Sequence, residues 1–332
     1  MTIIIAEAGV NHNGDLSLAK KLIDVGHKAG ADYIKFQTFK AESLAIPGLR
    51  KADYQVTQKK LSEDQFEMLR SLELSNDMYK KLLDYANVNK IKIFSTSFGI
   101  EESTFLSSLN QKIFKIPSGE ITNLPYLRHI AKLSPKQIYL STGMSNLNEV
   151  IFAVDSLVES GYHKKNITVM HCTSCYPANA EEINLRAMLT MKNEIGVDIG
   201  YSDHTLGSEV AIAAVAMGAS VIEKHFTLDK SLSGPDHKAS LNPCELKSFI
   251  ESIRKTDIAL GSKIKKPSQN ELRNRDIARK SLVAKKNIAI GEIFSNKNIK
   301  ITRPGTGISP TKIDEYMGKP SLKNYSENDL ID

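Results

Sequence analysis

Eight short runs rich in β-branched or aromatic residues alternate with amphipathic stretches over the first 261 residues, and polar or ionisable side chains close each run. The runs are Ile3 to Ala6, Tyr33 to Gln37, Ile91 to Ser95, Ile113 to Ile116, Gln137 to Ser141, Ile167 to Cys172, Val197 to Tyr201 and Val221 to His225. Strands separated by helices pair in parallel, because each crossover returns the chain to the same end of the sheet. Eight such units in about 260 residues match a closed (β/α)8 TIM barrel, which is the expected fold. A doubly wound open sheet is the alternative, but no G-x-G-x-x-G or G-x-x-x-x-G-K-[ST] follows any run.

Helix signals fit this frame. Asp15 is placed to cap a helix whose Leu18, Leu22, Val25 and Ala29 recur along one face, and Gly30 is placed to end it. Ser62-Glu63-Asp64-Gln65 has the form of a capping box, and the apolar segment Gly207 to Gly218 supplies a helix before the last run.

A barrel collects its reactive groups where its strands end. At or just past the run ends stand Glu7, then Lys35 and Gln37, Thr96, then Lys115, Ser118 and Glu120, Ser141, then His171 and Thr173, then Ser202, Asp203 and His204, and finally Glu223 and His225. His204 and His225 close consecutive runs, so parallel pairing brings two imidazoles to one edge and suggests a metal. The bland alternative is that each histidine merely ends its strand. Two imidazoles are too few for a typical catalytic zinc and suit a six-coordinate ion such as Mn²⁺ or Mg²⁺, with Asp203 and Glu223 as candidates to orient the rings. Lys35 and Lys115, with Thr96, Ser118, Ser141 and Ser202, combine point charge and short hydrogen bonds, as a phosphate or carboxylate requires. Lys35 could instead form a Schiff base.

Composition narrows the classes. The 44 lysines and arginines exceed the 38 acids, but the surplus is densest between Lys263 and Lys300 and no nucleic-acid motif accompanies it. Cys172, Cys175 and Cys244 make an odd count without a secreted framework, no signal-like start is visible, and no apolar stretch approaches membrane-spanning length, so a cytoplasmic enzyme is expected. Cys172 and Cys175 form a C-x-x-C, but a structural zinc would need a second pair. The expected organisation is a barrel over 1–261, a charged linker over 262–280, and a compact, turn-rich β domain over 281–332 with runs at Ser281 to Ala284 and Ile299 to Thr302.

The ordered words AEAGVNHNG (6–14), KFQTFK (35–40), FSTSF (94–98), KIPSGE (115–120), LSTGM (140–144), HCTSCYP (171–177), GYSDHT (200–205), EKHFTLDK (223–230) and SGPDHKAS (233–240) resemble the bacterial sialic acid synthase family. That family includes N-acetylneuraminate and legionaminate synthases. The resemblance implies a barrel followed by an antifreeze-like (SAF) domain, exchanged between two chains of a homodimer. It implies condensation of phosphoenolpyruvate with an open-chain N-acylated mannosamine-type sugar, giving a nine-carbon 2-keto acid and phosphate. By resemblance, His204 and His225 would hold Mn²⁺, with Mg²⁺ or Co²⁺ as substitutes. Lys35, Thr96, Lys115, Ser118, Ser141 and Ser202 would hold phosphoenolpyruvate. Glu7, Gln37, Glu120, Tyr176 and Asp236 would meet the sugar, with Arg303 of TRPGTG (302–307) arriving from the partner. Glu120 is the expected acid or base. Ser174 stands where one branch has asparagine. The expected acceptor is N-acetylmannosamine, with 2,4-diacetamido-2,4,6-trideoxymannose as the alternative. A carbohydrate- or ice-binding module is the non-enzymatic one.

Overall fold

The computed structural model describes residues 1–52, 55 and 64–332. Eight parallel strands form the first unit: β1 (Ile3–Gly9), β2 (Tyr33–Thr38), β3 (Ile93–Ser97), β4 (Ile113–Ile116), β5 (Gln137–Ser141), β6 (Ile167–Cys172), β7 (Asp198–Asp203) and β8 (Val221–His225). Their order is β3-β2-β1-β8-β7-β6-β5-β4, and β3 lies against β4, so the sheet curls into a barrel. The first two runs extend past expectation to Gly9 and Thr38, and two others are displaced. The third begins at Ile93 because Ile91 belongs to the preceding loop, where its amide donates to the Ala86 carbonyl. The seventh extends to Asp203, its outer Tyr201 buried against the helices.

The two-residue repeat of a strand explains the layering. Outward residues such as Ile4, Ala6, Ile34, Phe36, Ile138, Leu140, Val169 and Ile222 join the main core under the helices. Inward residues Ile5, Tyr33, Phe94, Ile113, Tyr139, Met170 and Val221 form a separate apolar plug. Two residues further along the same strands come Glu7, Lys35, Thr96, Lys115, Ser141, Cys172 and Glu223. Thus one inward step turns an apolar plug into a charged floor.

Helix ends follow the expected chemistry where they are described. Asp15 accepts from the amides of Ser17 and Leu18 at the start of the helix Leu16–Ala29, and Gly30 ends it. The helix Gln65–Ser71 opens on Asp64 with Glu67 as its reciprocal partner. Ser62 and Glu63, half of the expected box, lie outside the described residues. The helix before β8 is Glu209–Ala216.

The chain divides into two compact units, Met1–Gly261 and Ser262–Asp332. In the second, β9 (Ser281–Ala284) and β10 (Ile299–Thr302) pair antiparallel over a small core of Leu282, Ala284, Ile288, Phe294, Ile299, Tyr325 and Ile331. The segment read as a linker holds an exposed helix, Gln269–Ala278, opened by a Ser268 and Glu271 capping box. Its polar character hid it from a search for apolar periodicity. Among the described residues, no helix is long and apolar enough to cross a membrane.

Candidate active site

The strand ends enclose a cavity of about 400 Å³. Its floor is ionic. Lys115 Nζ lies 2.9 Å from Glu223 Oε1, while Lys35 Nζ lies 2.9 Å from Glu7 Oε2 and 3.6 Å from Glu223 Oε1. Lys35 also donates to Thr96 Oγ1 at 2.8 Å, Ser202 Oγ donates to Glu223 Oε1 at 3.3 Å, and Gln37 Nε2 donates to Glu7 Oε1 at 2.9 Å. All four charged side chains are buried.

These contacts set their protonation. Burial pushes Glu223 upward, but the Lys115 and Lys35 ammoniums overcome it and hold the carboxyl at about 2. Burial, reinforced by the Glu223 charge, lifts Glu7 to about 7 against the pull of Lys35. Burial disfavours the Lys35 ammonium, yet Glu223 and Glu7 raise it above its ordinary value. The lysines expected to await an anion therefore already have carboxylate partners. From the sequence Glu223 stands on the rim beside His225, but its role as the partner of both lysines was missed.

Above the floor stand the two imidazoles, their ring centroids 5.5 Å apart. Tyr176 packs on both, 4.2 Å from His204 and 5.7 Å from His225. Burial lowers His204 to about 4 and His225 well below its ordinary value, with the neighbouring His204 adding to the latter, so both rings are neutral. His204 Nδ1 is 2.7 Å from the Thr173 carbonyl, and His225 Nδ1 is 3.7 Å from Asp236 Oδ2. Asp236 itself is pushed up to about 6 by burial.

Two expectations need correction. Asp203 and Glu223 do not orient the imidazoles, since His204 Nδ1 meets the Thr173 carbonyl and His225 Nδ1 faces Asp236. Asp203 faces outward, where it pairs with Lys224 at 2.8 Å, and Glu223 serves the lysines. His171 also faces outward, stacked on Tyr201 with Nε2 2.6 Å from the Ile183 carbonyl. Strand alternation accounts for both: Asp203 and His171 are one residue off the inward register.

Two glycines let the walls close in. Gly9 adopts φ +52°, and a Cβ there would lie 3.3 Å from both Gln37 Nε2 and Glu7 Oε1. A Cβ on Gly143 would fall 2.1 Å from Ser174 Oγ and 2.8 Å from Ser118 Oγ. Gly143 instead donates its amide to Ser118 Oγ at 3.0 Å, and Ser118 Oγ contacts Cys172 Sγ at 3.3 Å. Cys172, Cys175 and Cys244 are free thiols, so the C-x-x-C holds no disulfide.

Comparison with known proteins now bears on this geometry. The NeuB family model matches residues 22–265, and the SAF domain model matches residues 279–332. The chain belongs to the NeuB family. The NeuB-family chain is 53% identical to N,N'-diacetyllegionaminic acid synthase of Campylobacter jejuni, over 99% of this chain and 98% of that protein. It is 47% identical to the Legionella pneumophila protein of the same name, over 97% and 91% respectively. Among solved structures it resembles N-acetylneuraminic acid (sialic acid) synthetase from Leptospira borgpetersenii, with TM-score 0.71 and 31% identity over 82% of this chain and 90% of that one.

For a NeuB-family site, the structure brings together most of the expected residues. Glu7, Lys35, Gln37, Thr96, Lys115, Ser118, Ser141, Tyr176, Ser202, His204, His225 and Asp236 all line the cavity, and so does Ser174. Glu120 does not line it. It is half-buried in the turn Ser118–Glu120, accepts from Asn123 Nδ2 at 2.6 Å, and is raised by burial. Arg303 belongs to the second unit, where its Nε donates to the Ala278 carbonyl at 3.1 Å.

The histidine pair has the chemistry of a cation site. Both rings are in the neutral, ligating form, and His225 Nδ1 is buried with no hydrogen-bond partner. Among the described residues, no group of three or more His, Cys, Asp or Glu is arranged around a metal position. Two imidazoles with the remaining places left to water or substrate oxygen fit an octahedral ion better than a closed zinc site.

Proposed function

We propose that this NeuB-family enzyme condenses phosphoenolpyruvate with the open-chain aldehyde of 2,4-diacetamido-2,4,6-trideoxymannose, giving N,N'-diacetyllegionaminate and phosphate. One observation carries the chemistry: a pair of neutral imidazoles stands directly above a lysine-rich floor in a single cavity. Similarity favours the diacetamido acceptor over N-acetylmannosamine, since the relatives at 53% and 47% identity share that specificity in their names, whereas the sialic acid synthetase stands at 31%.

In this reading Lys35 and Lys115 offset the charge of phosphoenolpyruvate, with Thr96, Ser118, Ser141 and Ser202 donating to its oxygens. Glu7, Gln37, Tyr176 and Asp236 orient the sugar. His204 and His225 hold a divalent ion, Mn²⁺ by preference, which supplies Lewis-acid polarisation of a carbonyl oxygen. C3 of the enol then forms a bond to the aldehyde carbon, whose oxygen takes a proton to become a hydroxyl. Water adds at C2 and phosphate leaves with the C2–O bond broken, restoring the keto group. Glu120, raised by burial and two residues beyond Ser118 in the same turn, is in this reading an acid or base at the edge of the site, with Glu7 and Asp236 as carboxyl groups that line the cavity. A cytoplasmic homodimer, with Arg303 of each SAF domain completing its partner's sugar site, belongs to the same proposal.

The experiment is product identification by mass spectrometry after incubation with Mn²⁺, phosphoenolpyruvate and one of three acceptors: the diacetamido sugar, N-acetylmannosamine or its 6-phosphate. A nine-carbon keto acid from the diacetamido sugar, in excess over the others, is expected. Preference for N-acetylmannosamine would contradict the acceptor, and no product from any acceptor would contradict the condensation.

A further inference from the structure

We propose that an apolar lip over β1–β3 determines acceptor choice by receiving the sugar end remote from the aldehyde, favouring a deoxygenated, N-acylated end. This rests on the synthase reading above and adds the residues that select among its acceptors. The geometry comes from strand period. Lys35, Gln37 and Phe39 share one face in steps of two residues, so the wall rises from cation to amide to aromatic over about 13 Å. Thr96 on β3 and Phe98 just past its end repeat the ascent, and Phe39 and Phe98 meet edge to face at 5.9 Å.

These rings join Val10, Leu44, Leu69 and Leu72 in a cluster separate from the barrel core. Val10, Phe39 and Leu72 are buried, whereas Leu44, Leu69 and Phe98 are half-exposed, and all six line the cavity. A packed backing thus presents an apolar front to the substrate space. Among the described lining residues, the lysines and arginines are Lys35 and Lys115, both on the floor and both held by carboxylates. A 6-phosphate or hydroxyl laid against these apolar side chains would lose hydration without gaining a partner from them, while methyl groups of a 6-deoxy or acetamido end would gain by burial. Enzyme pockets discriminate modestly by apolar contact alone, so a graded preference rather than absolute exclusion is expected.

The test is steady-state kinetics with Mn²⁺, phosphoenolpyruvate and the same three acceptors, on wild type, Leu69→Gln and Leu44→Gln. These half-exposed positions lie on two different elements, so a folding failure in one leaves the other, with circular dichroism confirming the fold. The kcat/KM ratio of diacetamido-trideoxymannose to N-acetylmannosamine should fall about tenfold, through the sugar KM, with the phosphoenolpyruvate KM unchanged. An unchanged ratio in folded variants whose wild type turns over would overturn this inference alone. Absence of turnover in wild type with every acceptor would overturn the synthase reading and this inference with it.

Discussion

Two buried lysine–carboxylate clusters occupy opposite faces of the same barrel wall, and they differ in completeness. On the outer face, Lys224 binds Asp203 at 2.8 Å and the Thr205 carbonyl, while Asp203 Oδ1 also accepts from the amide and hydroxyl of Thr205 at 2.9 and 2.7 Å. That set is closed. On the inner face, Glu223 is shared by two lysines at 2.9 and 3.6 Å, its Oε2 has no hydrogen-bond partner, and the cluster opens into the cavity. Glu223 and Lys224 face opposite sides of the wall, so one cluster is closed within the protein and the other, though its lysines are paired, opens into the cavity. Charge burial alone does not mark a site. Unfinished hydrogen bonding toward an open volume does.

The comparison can be broken most forcefully by removing one lysine from each cluster. Lys224→Met leaves Asp203 buried without its ammonium and should cost about 3–5 kcal/mol of stability, measured by urea unfolding, with kcat/KM of the folded protein essentially unchanged. Lys115→Met should cost less stability, because Glu223 retains Lys35, but should lower kcat/KM for phosphoenolpyruvate by about 100-fold. Equal effects of the two variants on activity would erase the distinction between the faces.

A smaller effect comes from polar groups outside both clusters. Burial lowers His12 and His237 to about 4, and His12 Nδ1 accepts from the Gly14 amide at 3.0 Å, a bond that protonation at this nitrogen removes. Because the unfolded imidazoles titrate near 6.5, the unfolded state takes up protons first as pH falls. The contribution of these two imidazoles should therefore be level above that value and decline between about 6.5 and about 4, opposite in sign to that of the raised Glu7 and Asp236 carboxyls, so the difference between wild type and His12→Gln isolates it. Urea midpoints measured across that range check the sign. The decline should be shallower in His12→Gln, and an unaltered slope would remove His12 from the account.

The barrel and most of the floor were legible because both obey period two. In IAE, YIK, FST, IFK, YLS and VIE, an inward plug residue is followed two positions later by an inward polar one, and β-branched or aromatic residues mark the strand. The same period, applied strictly, would have sent Asp203 and His171 outward. Both stand beside rim residues in the sequence, and register alone separates them from the rim. The lip was not legible, since Leu44 and Leu69 reach the cavity from outside the strands and their apolar character is indistinguishable from ordinary core. Nor was the helix Gln269–Ala278, whose stability signals are capping groups rather than a buried stripe.

The central claim, that the imidazole pair and the lysine floor act as one condensing site, is tested most directly by phosphate release from phosphoenolpyruvate. The measurement compares wild type and His225→Ala, with the diacetamido sugar, in Mn²⁺ and in chelator. Release is predicted only from wild type when metal, sugar and phosphoenolpyruvate are all present, with His225→Ala folded but slower by at least about 100-fold. Undiminished release in chelator, or from folded His225→Ala, would contradict it.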